Sequence, residues 1–131
     1  MKISDEARKI VEGAKVWAVA TANKNGLPNV VPIAYAKILS ENQILLMDIF
    51  MEKTRKNIEE NPNIALCAWN SESKGYQFKG KAQVITSGKL FDEGVKWVKS
   101  KEDLSPKAAI VVNVETVYII TPGSDAGKEV K

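Results

Sequence analysis

The chain has 131 residues, 44% of them hydrophobic, and a formal net charge of +3, which points to one domain with a real core and excludes a disordered chain. One cysteine and no histidine exclude an intrachain disulfide and remove the commonest general base and metal ligand, so neither a zinc site nor a Cys–His catalytic pair is expected. The mild charge permits an anionic ligand without indicating nucleic acid, no apolar run approaches the roughly 20 residues that cross a bilayer, and the N-terminal stretch lacks the apolar core of a secretory signal; the expected location is the cytoplasm, with no membrane partner.

Residues 3–14 place Ala7, Ile10, Val11 and Ala14 at helical spacing, with Ser4 as N-cap, Asp5 and Glu6 in the first turn and Gly13 near the end. Residues 16–22 read as a strand. Asn25-Gly26 then signals a hairpin, and residues 28–39 form the partner strand. Pro32 lacks an N–H and so belongs at an edge or a bulge. After a turn at 40–42, residues 43–48 form a third strand, and the pattern to this point is an antiparallel meander. Lys53 to Asn61 reads as a helix of about two turns, stopped by Pro62. Residues 63–70 form a strand expected to be buried on both sides. Residues 76–86 alternate, with Tyr76, Phe78, Gly80, Ala82 and Val84 on one face, as in a strand with one wet side. Residues 89–101 form a second amphipathic helix with Ser87 as cap, and 108–121 a long β-branched strand ended by Pro122-Gly123. The small, charged segment 124–131 is expected to be disordered, leaving a single domain over 1–123. Cys67 lies in an apolar run and is expected to be a small core residue.

The stretch from Met47 to Asn57 carries the chemistry. It passes from an apolar strand into the first turn of a helix, and Lys53, Thr54, Arg55 and Lys56 sit at the junction. Helix-start N–H groups lack partners inside the helix and carry partial positive charge, so a phosphate is a natural ligand there. The same run also reads as a solvated basic face with Thr54 as N-cap. Trp17, Trp69 and Trp97 sit at core spacing and are read as packing residues, and Asp48 has the alternative role of capping the next turn.

Six antiparallel strands with short helices suggest a small barrel, whose closure hides apolar edges. Three segments then resemble the flavin-binding split-barrel family, the pyridoxamine 5′-phosphate oxidase-like and small FMN-binding proteins. They are the hairpin of residues 18–34; Lys53 to Leu66, read as Lys-Thr-x-x-Asn followed by Asn-Pro and a strand; and Gly75 to Ala82 with its aromatic-x-x-x-Gly pattern. The resemblance implies a mainly β (α+β) fold, a six-stranded antiparallel split β-barrel with short flanking helices, binding FMN at a homodimer interface. Position by position, it implies that Lys53 and Thr54 hold the FMN phosphate and that Val31, Pro32, Ile33 and Ala34 run along the isoalloxazine. Asp48, Ile49 and Phe50 face the flavin and its ribityl chain, and Asn57 is the polar residue one turn on.

The chain departs from members that oxidise pyridoxamine phosphate, which carry further basic and histidine residues and a longer C-terminal region, so that activity is not expected. Haem-degrading relatives commonly use histidine ligation, which this sequence lacks; deazaflavin-using relatives stay open. The expectation is an FMN-dependent oxidoreductase or flavin reductase with an unidentified small-molecule or protein electron partner. Tyr35 and Lys37 are weak candidates for proton chemistry, and no catalytic residue is assigned. Two alternatives stand beside it: a non-catalytic FMN electron carrier or storage protein, and a flavin-free binder of another phosphorylated ligand.

Overall fold

The computed structural model describes residues 3–131. The elements run α1 (Asp5–Glu12), β1 (Trp17–Ala22), β2 (Pro28–Ile33), β3 (Ala36–Ser40), β4 (Gln43–Asp48), α2 (Lys53–Glu60), β5 (Asn63–Trp69), β6 (Gly75–Ile85), α3 (Lys89–Lys99) and β7 (Ala108–Ile119). All strands belong to one antiparallel sheet in the order β2-β1-β5-β6-β7-β4-β3.

The fold is the expected split barrel with seven strands in place of six, because residues 28–39 do not form one strand. Ala34 and Tyr35 break the run, and its halves become the two opposite edges of the sheet. The meander therefore ends at Ile33. Only two residues join the edges, and a trans peptide step spans at most about 3.8 Å, so the sheet must curl until its edges approach. Tyr35 anchors the crossing, its carbonyl accepting the Met47 N–H at 2.9 Å. Pro32 lies on edge strand β2, which pairs only with β1, where a missing N–H costs no ladder bond.

Strand alternation divides the buried residues between two regions. Inward-facing Trp17, Val19, Ile44, Leu46, Leu66, Phe78, Ile110 and Val112 fill the barrel, with Trp17 and Phe78 stacked at 5.9 Å. Ile3, Ala7 and Val11 join this core from the α1 region, and Ile58 from α2. Ser4 caps α1 as expected, its Oγ accepting the Ala7 N–H at 3.1 Å.

The second region lies outside the barrel, where α3 covers Leu45, Met47 and Ala109 with Val98, Phe91 and Trp97. This explains why β4 reads as an unbroken apolar run: one face lines the barrel and the other lies under a helix. Gly94 lets α3 approach closely, since a Cβ there would stand 2.5 Å from Met47 Sδ. Ser87 does not cap α3. Gly88 occupies that position at φ 99° without a side-chain bond, a conformation that glycine adopts without steric cost.

No helix among the described residues covers the outer face of β2, β1 and β5. Ala18 and Ala20 point outward there, opposite Pro32 and Val30 on one side and Cys67 and Ala65 on the other. Strand β5, expected to be buried on both faces, buries only Ile64, Leu66 and Ala68; Cys67 is half-buried and Trp69 is 46% exposed. Residues 124–131, for which disorder was expected, turn back along β7. The Ile119 N–H donates to Lys128 O at 2.9 Å and the Val130 N–H to Val117 O at 2.8 Å, and Val130 packs on the core. Composition alone conceals this, because backbone pairing with β7 supplies what the small and charged side chains do not. No helix among the described residues is long and apolar enough to cross a membrane.

Candidate functional site

The corner between β4 and α2 is built around Asp48, which is fully buried. Its Oδ1 accepts the Met51 N–H at 3.1 Å, and its Oδ2 accepts from Arg55 Nη1 at 2.9 Å. Lys107 Nζ lies 3.8 Å from Oδ1 and donates to Met51 O at 3.0 Å. A carboxylate taken from water needs such charged and hydrogen-bonded partners. One side chain thus fixes the residues between strand and helix and sets the direction in which α2 begins.

That helix start is open. Glu52 is the N-cap residue, yet its side chain makes no capping bond, and the first turn holds no acidic residue. The Glu52 carboxylate instead lies 3.9 Å from Lys107 Nζ. Thr54 is not the cap. It is buried inside the first turn, and its Oγ1 accepts from Asn29 Nδ2 at 3.2 Å, which ties α2 to strand β2. Lys53 is exposed beside it. Uncapped N–H groups, a lysine and a threonine together can accept an anion.

A cavity of about 450 Å³ extends from this helix start along β2 and the Ala34–Tyr35 crossing to the end of β4. Val31, Pro32, Ile33 and Ala34 line one side, Ile49, Phe50, Met51 and Lys53 the other, with Thr54 at the helix end. Because β2 is an edge strand, part of its backbone has no strand partner on this side. Eight of the ten residues singled out in the sequence line the cavity. Asp48 and Asn57 do not: Asp48 lies beneath the corner, and Asn57 is buried in α2 with its Nδ2 donating to Thr21 Oγ1 at 3.1 Å. Phe50 is 80% exposed at the cavity.

Tyr35, already a candidate for proton chemistry, also lines the cavity, together with Met47, Glu102 and Leu104, which were not among the expected site residues. Tyr35 donates its hydroxyl to Glu102 Oε1, 67 residues apart in the chain. That bond, burial and the Glu102 charge all push the Tyr35 phenol above its ordinary value. The ring meets Trp97 edge-on at 5.5 Å, and Lys37 Nζ lies 4.1 Å from the Trp97 ring centre. Lys37 therefore holds the wall of the site from behind and does not line it. Trp17 and Trp97 pack as expected, whereas Trp69 stands on the uncovered outer face. Among the described residues no cluster of His, Cys, Asp and Glu could hold a metal ion.

A curled sheet with an apolar cleft beside the crossing of its edges, and an uncapped helix start at one end, defines a small split-barrel domain. The family model described as pyridoxamine 5′-phosphate oxidase matches residues 3–121, and the chain belongs to that family. An uncharacterised protein of Methanocaldococcus jannaschii is 38% identical over 131 residues, covering 98% of this chain and 87% of that protein. HupZ of Group A Streptococcus has the same fold, with a TM-score of 0.85 and 27% identity, over 95% of this chain and 99% of that one. An FMN-binding protein from Syntrophomonas wolfei superposes with a TM-score of 0.80 at 14% identity, over 88% of this chain and 84% of that one, a likeness of fold.

Proposed function

We propose that this chain is a homodimeric FMN-dependent oxidoreductase or flavin reductase, with the FMN phosphate at the start of α2 and the isoalloxazine across the seam between β2 and the end of β4. The observation that carries the reading is the junction of two unlike surfaces in one cavity. An uncapped helix start with Lys53 and Thr54 suits a phosphate, and the adjoining walls of Val31, Pro32, Ile33 and Ile49 suit a flat, largely apolar ring. The cavity's 450 Å³ falls within the usual range of about 300–1,000 Å³ for small-molecule sites. Bound there, the flavin would supply the hydride or electron chemistry, and the protein would bind, orient and shield it. A solved structure of the same fold, from S. wolfei, is described as an FMN-binding protein.

Dimerisation rests on the uncovered face. Two alanines of β1 flanked by Pro32, Val30, Ala65 and Cys67 form a surface of small, mostly apolar groups, the kind that marks an interaction site. A second copy would cover it.

The first experiment is to denature freshly purified protein and identify the released flavin by fluorescence; FMN near one per chain supports the reading, and its absence, with no uptake of added FMN, refutes it. A non-catalytic carrier is the second reading. It needs no acid or base at the flavin, and the Tyr35 hydroxyl, whose residue lines the cavity, is engaged with Glu102. Steady turnover of NADH or NADPH with a small acceptor would exclude it.

A further inference from the structure

The cavity beside β2 carries unlike charges at its two ends. Lys53 lines it at the start of α2, where the Asn29 side chain of β2 donates to Thr54 Oγ1 at 3.2 Å. From there β2 runs on to Ile33, four residues and roughly 13 Å further along an extended chain. Tyr35 follows, and there it meets Glu102. The wall between is apolar, with Val31, Ile33, Met47 and Ile49. Glu52 also lines the cavity, but next to Lys53 and 3.9 Å from Lys107 Nζ.

The Glu102 carboxylate is held in place. At the end of α3 the N–H groups of Lys101 and Glu102 donate to Val98 O at 3.0 and 2.9 Å, and the Leu104 N–H donates to Glu102 O at 2.9 Å. The connection ends at Lys107, whose N–H donates to Asp48 O at 2.7 Å. Tyr35 is fixed in turn, its carbonyl by the Met47 N–H and its ring by the edge-on contact with Trp97. Phenol and carboxylate therefore stand as a preset pair on the cavity wall, supported from behind.

That wall lacks a counter-charge. Among the described residues Glu102 has no cation within ion-pair distance, and the donor to its side chain is the Tyr35 hydroxyl alone. Glu102 is exposed, so water satisfies the rest of the carboxylate. An occupant of the cavity displaces that water, and a carboxylate facing an apolar ligand without a partner is costly. The partner must then come from the occupant. The bond to Tyr35 does not itself require the charge, since a neutral amide oxygen would accept the hydroxyl as well.

We propose that the Tyr35–Glu102 end of the cavity is a subsite for a second ligand that bears a protonated amine or amidinium and pairs this cation with the Glu102 carboxylate. The proposal rests on the flavin reading and names the class of substrate that the loaded site admits: organic cations first, neutral molecules next, anions last. Glu102 sets this order.

The test is calorimetric titration of the FMN-saturated protein and of its Glu102→Gln variant with three flat probes of matched size, benzamidinium, benzamide and benzoate. Glu102 is exposed and glutamine keeps an acceptor for Tyr35, so the variant should melt with the wild type. The expected result is that benzamidinium binds about tenfold more tightly than benzamide, as one charge-assisted hydrogen bond supplies, with benzoate weakest. In Glu102→Gln the advantage of benzamidinium over benzamide should shrink to less than about threefold. A purely structural role for Glu102 would leave the order of the probes unchanged. If FMN binds but benzamidinium has no advantage in the wild type, no probe binds, or the variant keeps the preference, the proposal fails while the flavin reading survives. If the protein takes up no FMN, both fail.

Discussion

Arg55 on α2 reaches back to Asp48 at the end of β4 with an ion pair of 2.9 Å, and the carboxylate it meets is fully buried. The pair ties the strand to the helix that follows it, and the residues between them form one lip of the cavity. Asp48 therefore acts through the shape of the corner and not by touching a ligand.

Asp48→Ala should consequently lower stability and also loosen the site. Removing one partner of a buried pair costs about 3–5 kcal/mol, but Arg55 and Lys107 are partly exposed and can rehydrate, so about 2–3 kcal/mol is expected. Chemical denaturation measures it. A loss below about 0.5 kcal/mol, the level of an ordinary surface change, would show that the corner holds without its carboxylate.

Tyr35 and Glu102 make a pH-dependent contribution. Hydrogen bonding to Glu102, then burial, then the Glu102 charge raise the Tyr35 phenol, so the folded protein keeps this proton to higher pH than the unfolded chain. The resulting stability is fully present below the ordinary phenol value of about 10 and is lost as pH climbs through the raised value. The stability gap between wild type and Tyr35→Phe should be flat near neutrality and shrink in alkali. Tyrosinate absorbance should show Tyr35 ionising earlier in Glu102→Gln; an unchanged titration would mean that the bond is not formed in solution.

Two glycines should separate by what surrounds them. A Cβ on Gly80 would run into the backbone carbonyl of Asn113 at the register shift between β6 and β7. The ladder cannot give way cheaply, and Gly80→Ala should cost about 2–4 kcal/mol. A Cβ on Gly94 meets only the thioether end of Met47, which can swing aside, so about 1 kcal/mol is expected. Thermal melts of the two variants give the order.

The uncovered face predicts an assembly. Ala20 lies between Val30 and Ala65 on adjacent strands. Ala20→Glu should convert a dimer to a folded monomer, read by sedimentation, with circular dichroism unchanged. An unaltered sedimentation coefficient would place the interface elsewhere.

Local patterning made most of the elements legible. Ser4 with Asp5 and Glu6 announced α1, Asn25-Gly26 the hairpin, and Pro62 the end of α2. The break at Ala34 and Tyr35 was not visible, because nothing local distinguishes a long strand from two edge strands joined across a seam. Val31 to Ala34, with Ile49, Phe50, Lys53 and Thr54, fall together along the cavity because they come from two short stretches of chain. Glu102 was not legible, because only the closing of the sheet brings it to Tyr35. Asp48 and Asn57 were expected at the cofactor but are buried away from the cavity, which follows from packing that residue types at a junction do not reveal.

The central claim is that a flavin phosphate is held at the start of α2. Titration of wild type and Lys53→Ala with FMN, followed by flavin fluorescence, tests it most directly. Lys53 is exposed, so folding should be unaffected, and loss of one charge-assisted contact should weaken FMN roughly ten- to a hundredfold at an unchanged melting temperature. Equal FMN affinity in the two proteins, or no FMN binding by either, would contradict it.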